Sequence, residues 1–317
     1  MPPPAEVALE DMPCPMGCSA GDDEVLTGRD RSYNQPGNFT IVRCRSCRLI
    51  RTNPRPTREA IRDYYPSEYA PYRDARHIAP QPPAQSAALW KRPIQRLLRV
   101  WDSRAVPPLP AGRMLEIGCA SGTFLRLMAE RGWQVEGLEL SEKAASLAKS
   151  QGLPVYIGEL ETAAAPSAPY DLIVGWHVFE HLPQPLPALT KLWQWSKPGG
   201  WLALSMPDAS SWELSCFKER WYGLQLPNHL FHYEPGTLNE LLARTGWRAE
   251  RYFWHANPNN LLESLRYCCC DRGWDGMAGF FLDVAQGRRL HYPHRLLGKL
   301  LGLMHASGRM TVWARRV

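Results

Sequence analysis

Three groups of residues in this chain have types and spacings that could do chemistry. The first is Cys14-Pro15-Met16-Gly17-Cys18 followed by Cys44-Arg45-Ser46-Cys47: two close cysteine pairs, each able to form a knuckle, separated by enough chain for a hairpin. That is the spacing of a four-thiolate zinc site, although three residues rather than the usual two separate the first pair. A structural zinc would stand in for a core too small to fold alone. Four unligated thiols are the alternative, and a Cys-x-x-Cys redox pair lacks the surrounding strand–helix context. The second group is the run Met114-Leu115-Glu116-Ile117-Gly118-Cys119-Ala120-Ser121-Gly122-Thr123-Phe124-Leu125. Small residues at Gly118, Ala120, Ser121 and Gly122 let the backbone bend sharply and approach a ligand, and the helix that follows aims its free N–H groups at it. The spacing fits neither Gly-x-Gly-x-x-Gly nor a P-loop ending in Gly-Lys-Ser/Thr. The third group is imidazole: His177 with Glu180 and His181, and His229 with His232. Histidine is the side chain placed to accept a proton near neutral pH. Glu180 and His181 supply only two ligands locally, too few for a metal site of their own.

The elements that must position these groups follow from periodicity. Strand and helix alternate from Arg113 onward: strands at 113–118, 134–140, 155–157, 171–178, 200–206, 248–254 and 310–314, with helices over 122–131, 141–151, 185–196 and 235–245 between them. This predicts an α/β fold, a doubly wound, mostly parallel seven-stranded sheet covered by helices on both faces. Ligands of such sheets sit at the carboxyl ends of the strands, where the Gly118 turn lies. Glu139 ends the second strand, placed to accept both hydroxyls of a ribose. Glu159 and Glu161 follow the third and could reach a base amino group, and Tyr170 to Leu182 carries the fourth strand into the His177–His181 cluster. The predicted organisation is a terminus over 1–12, a zinc-ribbon-like module over 13–76, a linker and helix over 77–110, and the large domain over 111–317 with insertions at 208–234 and 255–309. The first insertion is rich in aromatic residues and reads as an acceptor-pocket wall or lid.

Composition narrows the function classes. With 317 residues, 44% of them hydrophobic, the chain can bury a sizeable core. The absence of a membrane-length apolar run and of a signal-like start predicts a cytoplasmic protein. The formal charge of +6 is uneven, because Arg288, Arg289, Arg295, Lys299, Arg309, Arg315 and Arg316 all follow Asp283 and no acid does. The rest is near neutral, which argues against a large nucleic-acid-binding face. Seven arginines between Arg43 and Arg62 either bind phosphates or form a solvated basic face. Residues 294–304 form a basic, amphipathic stretch that suits either packing on the core or a dimer partner, or peripheral contact with a membrane. Oligomeric state is not legible here.

Four motifs in order, Leu-Glu-Ile-Gly-Cys-Ala-Ser-Gly-Thr-Phe-Leu, Gly-Leu-Glu-Leu-Ser, Tyr-Asp-Leu-Ile-Val-Gly-Trp-His-Val-Phe-Glu-His-Leu and Lys197-Pro198-Gly199-Gly200, resemble the class I S-adenosylmethionine-dependent methyltransferases. The Cys pairs with Thr52-Asn53-Pro54-Arg55-Pro56-Thr57 look like the zinc-ribbon start of bacterial members associated with glycan and polysaccharide biosynthesis. The resemblance implies that Glu116, Gly118, Ala120 and Gly122 surround the methionine portion of S-adenosylmethionine, with Glu139 at the ribose, Glu159 near adenine and His177 at the cofactor. Ala120 stands where the family more often has Gly. The expected reaction is methyl transfer to a small acceptor, foremost a hydroxyl of a sugar, glycan or lipid-linked intermediate, with His229 as the preferred base and His177 second. A modifier of RNA or protein acting through the Cys/Arg-rich module, and a non-catalytic cofactor-binding module, are the other two classes.

Overall fold

The long apolar runs of the C-terminal two thirds form the sheet that their composition demands. In the computed structural model, which describes residues 7–65 and 106–317, β6 (Arg113–Ile117), β7 (Gln134–Glu139), β8 (Val155–Ile157), β9 (Tyr170–Trp176), β10 (Ser196–Pro207), β12 (Trp247–Trp254) and β13 (Arg309–Arg316) join in the order β12-β13-β10-β9-β6-β7-β8. β6 pairs in parallel with both β7 and β9, and only β13 runs antiparallel to its neighbours β10 and β12. Met114, Leu172, Ile173, Val174, Leu202 and Leu204 are fully buried, as parallel strands covered on both faces must be. The covering helices are α1 (Thr123–Ala129), α2 (Glu142–Ser150), α3 (Pro185–Trp195) and α5 (Pro235–Arg244). The seven predicted strands and four crossover helices are therefore present, with ends moved by a residue or two except at β10, which begins at Ser196, four residues before the predicted start. The helix predicted over Leu89 to Trp101 lies outside the described residues.

Residues preceding the sheet build a second, smaller one. β2 (Asp22–Arg29), β3 (Asn38–Cys44) and β4 (Ile50–Thr52) form a meander, and β1 (Leu9–Glu10) pairs with β5 (Arg55–Pro56). Its fourth strand comes from far along the chain: β11 (Phe231–His232), within the first insertion, pairs antiparallel with β4. The two parts share a core in which Cys14, Met16, Cys44 and Leu49 pack with Leu230, Phe231 and Tyr233. The insertion also contains α4 (Trp212–Phe217), and its aromatic residues Phe217, Trp221, Phe231 and Tyr233 are buried. It is a packed wall and carries part of the module's sheet.

The second insertion folds as α6 (Asn259–Asp271), α7 (Asp275–Ala285) and α8 (His291–Leu303). Helix α7 was not legible in the residue pattern. In α8, Gly298 and Gly302 lie against the backbone of Trp254 and Ala256, where a side chain would collide. Its other face leaves Leu296, Leu300 and Leu303 exposed. Among the described residues no helix is long and apolar enough to cross a membrane.

Candidate active site

The carboxyl ends of β6, β7, β9 and β10 meet at one edge. β6 is held on both sides by paired strands, so the chain that leaves it must turn within a few residues. It does so through three positive-φ positions, Gly118 at +64°, Ala120 at +47° and Gly122 at +77°. Gly118 is required twice over, since a Cβ there would strike Val178 in the loop leaving β9. Ala120 occupies a region that L-residues enter at a cost, and a specific bond holds it there: its N–H donates to Glu139 Oε2 at 2.8 Å. Glu139 Oε1 accepts the N–H of Ser141, also at 2.8 Å, at the start of α2. Burial raises the Glu139 carboxyl above its ordinary range, and these backbone donors oppose that rise. Glu139 thus ties the turn to the neighbouring helix, a role its place at a strand end did not disclose. Glu116 is buried one strand over. Glu159 lies outside β8 and is ion-paired with Arg58 of the small sheet's side of the molecule.

That pairing is part of a pattern. Arg43 pairs with Glu234, Arg45 with Asp23, Arg51 with Asp22 and Arg55 with Glu10. Five of the seven clustered arginines are therefore engaged by carboxylates of this same chain, and three of those carboxylates were too distant in sequence to be anticipated. The cluster fastens the module; it is not an open phosphate-binding face.

The histidine groups come together as their strand ends converge. His177 follows β9 at φ +57°, its N–H donating to Ser205 O of β10 at 2.8 Å. Its side chain is 34% exposed, and Nδ1 lies 3.4 Å from Glu180 Oε1. His229 is the opposite case: 2% exposed, with Nδ1 2.8 Å from Gly223 O and Nε2 3.9 Å from Glu180 Oε1. A ring nitrogen that close to a carbonyl must carry the proton, so His229 presents its lone pair on Nε2. Burial holds its pKa well below the usual value, and His181 and His232 add to the depression. His181 likewise sets Nδ1 2.8 Å from Asn228 O, with Tyr65 Oη at 3.1 Å. His232, brought by burial down to about 3, contacts Thr52 Oγ1 and serves the β4–β11 junction. Beneath them lies His255, which the residue pattern did not single out, between Ser205 Oγ at 3.2 Å and Thr311 Oγ1 at 2.8 Å.

The small sheet positions this loop directly. Thr52 donates its hydroxyl to His229 O at 2.8 Å and its N–H to Leu230 O at 3.0 Å, while Asn228 Nδ2 donates to Tyr64 O at 3.0 Å. Leu230 N–H in turn donates to Glu180 O at 2.9 Å. The signal that could have found this link was the Thr52–Thr57 motif, which is polar yet largely buried.

The four module cysteines are brought together as their spacing predicts, one sulfur from each within 4.8 Å of the others. Cys14 Sγ and Cys47 Sγ are 3.5 Å apart, near the roughly 3.8 Å edge of a tetrahedron with ~2.3 Å zinc–sulfur bonds. Burial raises the Cys14 and Cys47 thiols and also acts on Cys44, where the backbone N–H groups of Cys47 and Ser46 outweigh it and bring the thiol down to about 7, so it is the sulfur geometry that carries the comparison. The donor set therefore fits a zinc ion.

Known proteins resemble this chain over its large domain. The family described as "Methyltransferase domain" matches residues 84–252. The ubiquinone biosynthesis O-methyltransferase of Leptothrix cholodnii is 30% identical over 148 residues, covering 44% of this chain and 62% of that protein. Its counterpart in Thiobacillus denitrificans is 29% identical over 166 residues, covering 48% and 71%. With the Bordetella avium relative, of which 49% is covered, the chain spans about half to seven tenths of the length of these relatives. Among solved structures, an S-adenosylmethionine-dependent methyltransferase from Mesorhizobium loti is 19% identical, covering 71% of this chain and 97% of that one with a TM-score of 0.46. Magnesium protoporphyrin IX methyltransferase from Synechocystis PCC 6803, with bound SAH, is 14% identical, covering 82% and 100% with a TM-score of 0.47. The family match spans more than half of the sequence and takes in the turn, Glu139 and both histidine groups, and the chain accordingly belongs to the methyltransferase-domain family.

Proposed function

We propose that this chain transfers the methyl group of S-adenosylmethionine to a hydroxyl of a small acceptor. The observation that carries the reading is the convergence of the Gly118–Gly122 turn, Glu139 and His177 on one edge of a sheet whose sequence matches the family. In this reading Glu116, Gly118, Ala120 and Gly122 surround the methionine portion, and Glu139 takes the ribose hydroxyls with the lone pairs its two backbone bonds leave over. Glu159 lies near adenine, and His177 borders the methyl. The cofactor supplies an electrophilic methyl on a sulfonium. Transfer is an in-line displacement, so the protein's own tasks are to align the acceptor oxygen and to remove its proton.

The order of the two candidate bases is reversed from the sequence expectation. His229 is buried with one nitrogen committed to Gly223 and its basicity depressed, whereas His177 stands at the strand end with a third of its side chain exposed. Oxygen as the acceptor atom is supported by relatives named O-methyltransferases. Those names do not extend to sugars, and a glycan acceptor rests on the likeness of the N-terminal module alone. Cys14, Cys18, Cys44 and Cys47 hold a structural zinc in this reading, supported by their donor geometry. The exposed leucine face of α8, with Arg295 and Lys299 on the same helix, supports peripheral contact with an anionic lipid surface. Co-sedimentation with phosphatidylserine vesicles tests it.

The testing experiment for the reaction is transfer of labelled methyl from S-adenosylmethionine into small-molecule fractions of the producing cell. His177→Ala should lower turnover by about 10²- to 10³-fold with a much smaller change in cofactor affinity. Labelling of macromolecules in place of small molecules would redirect the acceptor, and unchanged turnover in the variant would remove His177 as base.

A further inference from the structure

The least comfortable group in the molecule is Glu180. Its side chain is 1% exposed, and neither carboxylate oxygen makes a hydrogen bond among the described residues. Burial pushes its pKa up to about 7. A buried carboxylate without donors costs several kcal/mol unless something compensates it. What surrounds it is informative. His229 places Nδ1 2.8 Å from Gly223 O, so it donates there and keeps an unprotonated lone pair on Nε2, 3.9 Å from Glu180 Oε1, while His181 sets Nδ1 2.8 Å from Asn228 O and 3.1 Å from Tyr65 Oη. One donor atom from each of Glu180, His181 and His229 lies within 4.8 Å of the other two. The His229 lone pair therefore faces a carboxylate to which no donor hydrogen-bonds among the described residues, and a cation between the two would satisfy both. Carbonyl-anchored imidazoles are also how proteins orient histidine ligands toward a metal.

We propose that Glu180, His181 and His229 form a binding site for a divalent transition-metal ion, separate from the four-cysteine site. Two imidazoles and one carboxylate are the donor set of first-row ions such as Zn²⁺, Co²⁺, Mn²⁺ or Fe²⁺, and three protein ligands leave coordination positions open. Donors about 2.1 Å from a common ion stand roughly 3.4 Å apart, so the His229–Glu180 pair, now 3.9 Å apart, would draw in by ~0.5 Å on binding. His177, 3.4 Å from Glu180 and with a third of its side chain exposed, lies on the solvent side of the three donors. In the sequence only Glu180 and His181 are adjacent. The third ligand arrives from the first insertion, through a loop that Thr52 and Leu230 tie down.

What the ion would do rests on the proposed methyl transfer. An acceptor hydroxyl held by such an ion would be more acidic and would give up its proton to His177, the base named above. The oxygen lone pair then forms the O–CH₃ bond while the C–S bond breaks with its electron pair remaining on sulfur.

The site is tested by binding, independently of turnover. Full-length protein with its cysteine site loaded is titrated with CoCl₂, followed by calorimetry and visible absorption. The expected result is one further equivalent of Co²⁺, with d–d bands but no added thiolate charge-transfer band. Affinity should fall by more than about 100-fold in Glu180→Gln and in His229→Gln, since losing a direct ligand costs at least as much as losing a supporting one. Unchanged S-adenosylmethionine affinity in these variants shows that they fold. If only the histidine variant misfolds, Glu180→Gln decides alone. No binding of Co²⁺, Zn²⁺ or Mn²⁺ beyond the cysteine site, or equal binding by Glu180→Gln, overturns the proposal and leaves Glu180 sharing a proton with His229. Metal binding without methyl transfer to any acceptor would instead keep the site and remove the reaction assigned to it.

Discussion

Replacing Glu139 by alanine is the perturbation from which most can be learned. Its two oxygens accept the N–H groups of Ala120 and Ser141, each at 2.8 Å, and the side chain is 6% exposed. Alanine leaves both donors without their acceptor. Hydrogen bonds to a charged group contribute about 1.5 kcal/mol each at the lower end of their range, so ~3 kcal/mol of stability should be lost. Part of that is returned because a buried carboxylate is no longer desolvated, which places the expected net loss at about 2 kcal/mol. The loss concentrates where Ala120 sits at φ +47°, since the bond from its N–H is what holds that conformation. Glu139→Gln can accept only one of the two N–H groups and should fall between wild type and alanine. Urea unfolding with and without saturating S-adenosylmethionine is the assay. The cofactor should stabilise wild type and have far less effect on the alanine variant, because both the turn and the ribose acceptor are gone. A variant within about 0.5 kcal/mol of wild type, with undiminished stabilisation by the cofactor, would refute both the tie and the ribose assignment.

Other outcomes follow from the same coordinates. With the proposed zinc on the four cysteines, metal binding and module folding would be one event, so Cys44→Ser should lose that zinc and unfold the small sheet while the seven-stranded sheet persists; hydrogen exchange would show protection lost over residues 38–52 and also over 228–232. Gly246→Ala should destabilise by about 2–3 kcal/mol, since φ is +81° and the new Cβ would lie 2.6 Å from Trp193 Nε1, whose N–H donates to Gly246 O; thermal unfolding reads this directly. Asp271 is hydrogen-bonded by Arg31, which is the main cause of its lowered pKa, and by Arg220. An acid depressed on folding stabilises above its unfolded pKa of about 3.9 and loses that contribution as pH falls through the folded value. Asp271→Asn should therefore cost ~1 kcal/mol at pH 7 and progressively less below about pH 4, by urea midpoints at both pH values.

Much of the fold was legible because its signals are local. Apolar runs such as Leu172 to Val174 can be satisfied only by burial on both faces, and the Gly118–Gly122 turn declares itself through residues that tolerate positive φ. The four cysteines were legible because ligand spacing is written in sequence. The pairing of β11 with β4 was not, since its two strands are separated by most of the chain and each is only two or three residues long. The same separation hid the roles of Arg58, Thr52 and Tyr65, whose partners Glu159, His229 and His181 come from the other part of the molecule. Residue type and neighbourhood alone make His229 look like a base. Its burial and tautomer, which decide what it can do, arise only when Gly223 O and Glu180 take their places around it.

The central claim is that the edge formed by Gly118–Gly122, Glu139 and His177 holds S-adenosylmethionine. Isothermal calorimetry with purified full-length protein tests it most directly. The account predicts one equivalent of S-adenosylmethionine bound with a dissociation constant in the range of roughly 1 μM to 1 mM, displaced by S-adenosylhomocysteine and weakened at least tenfold in Glu139→Ala. Folded protein that binds neither compound at millimolar concentration, or binds both equally well without Glu139, would contradict it.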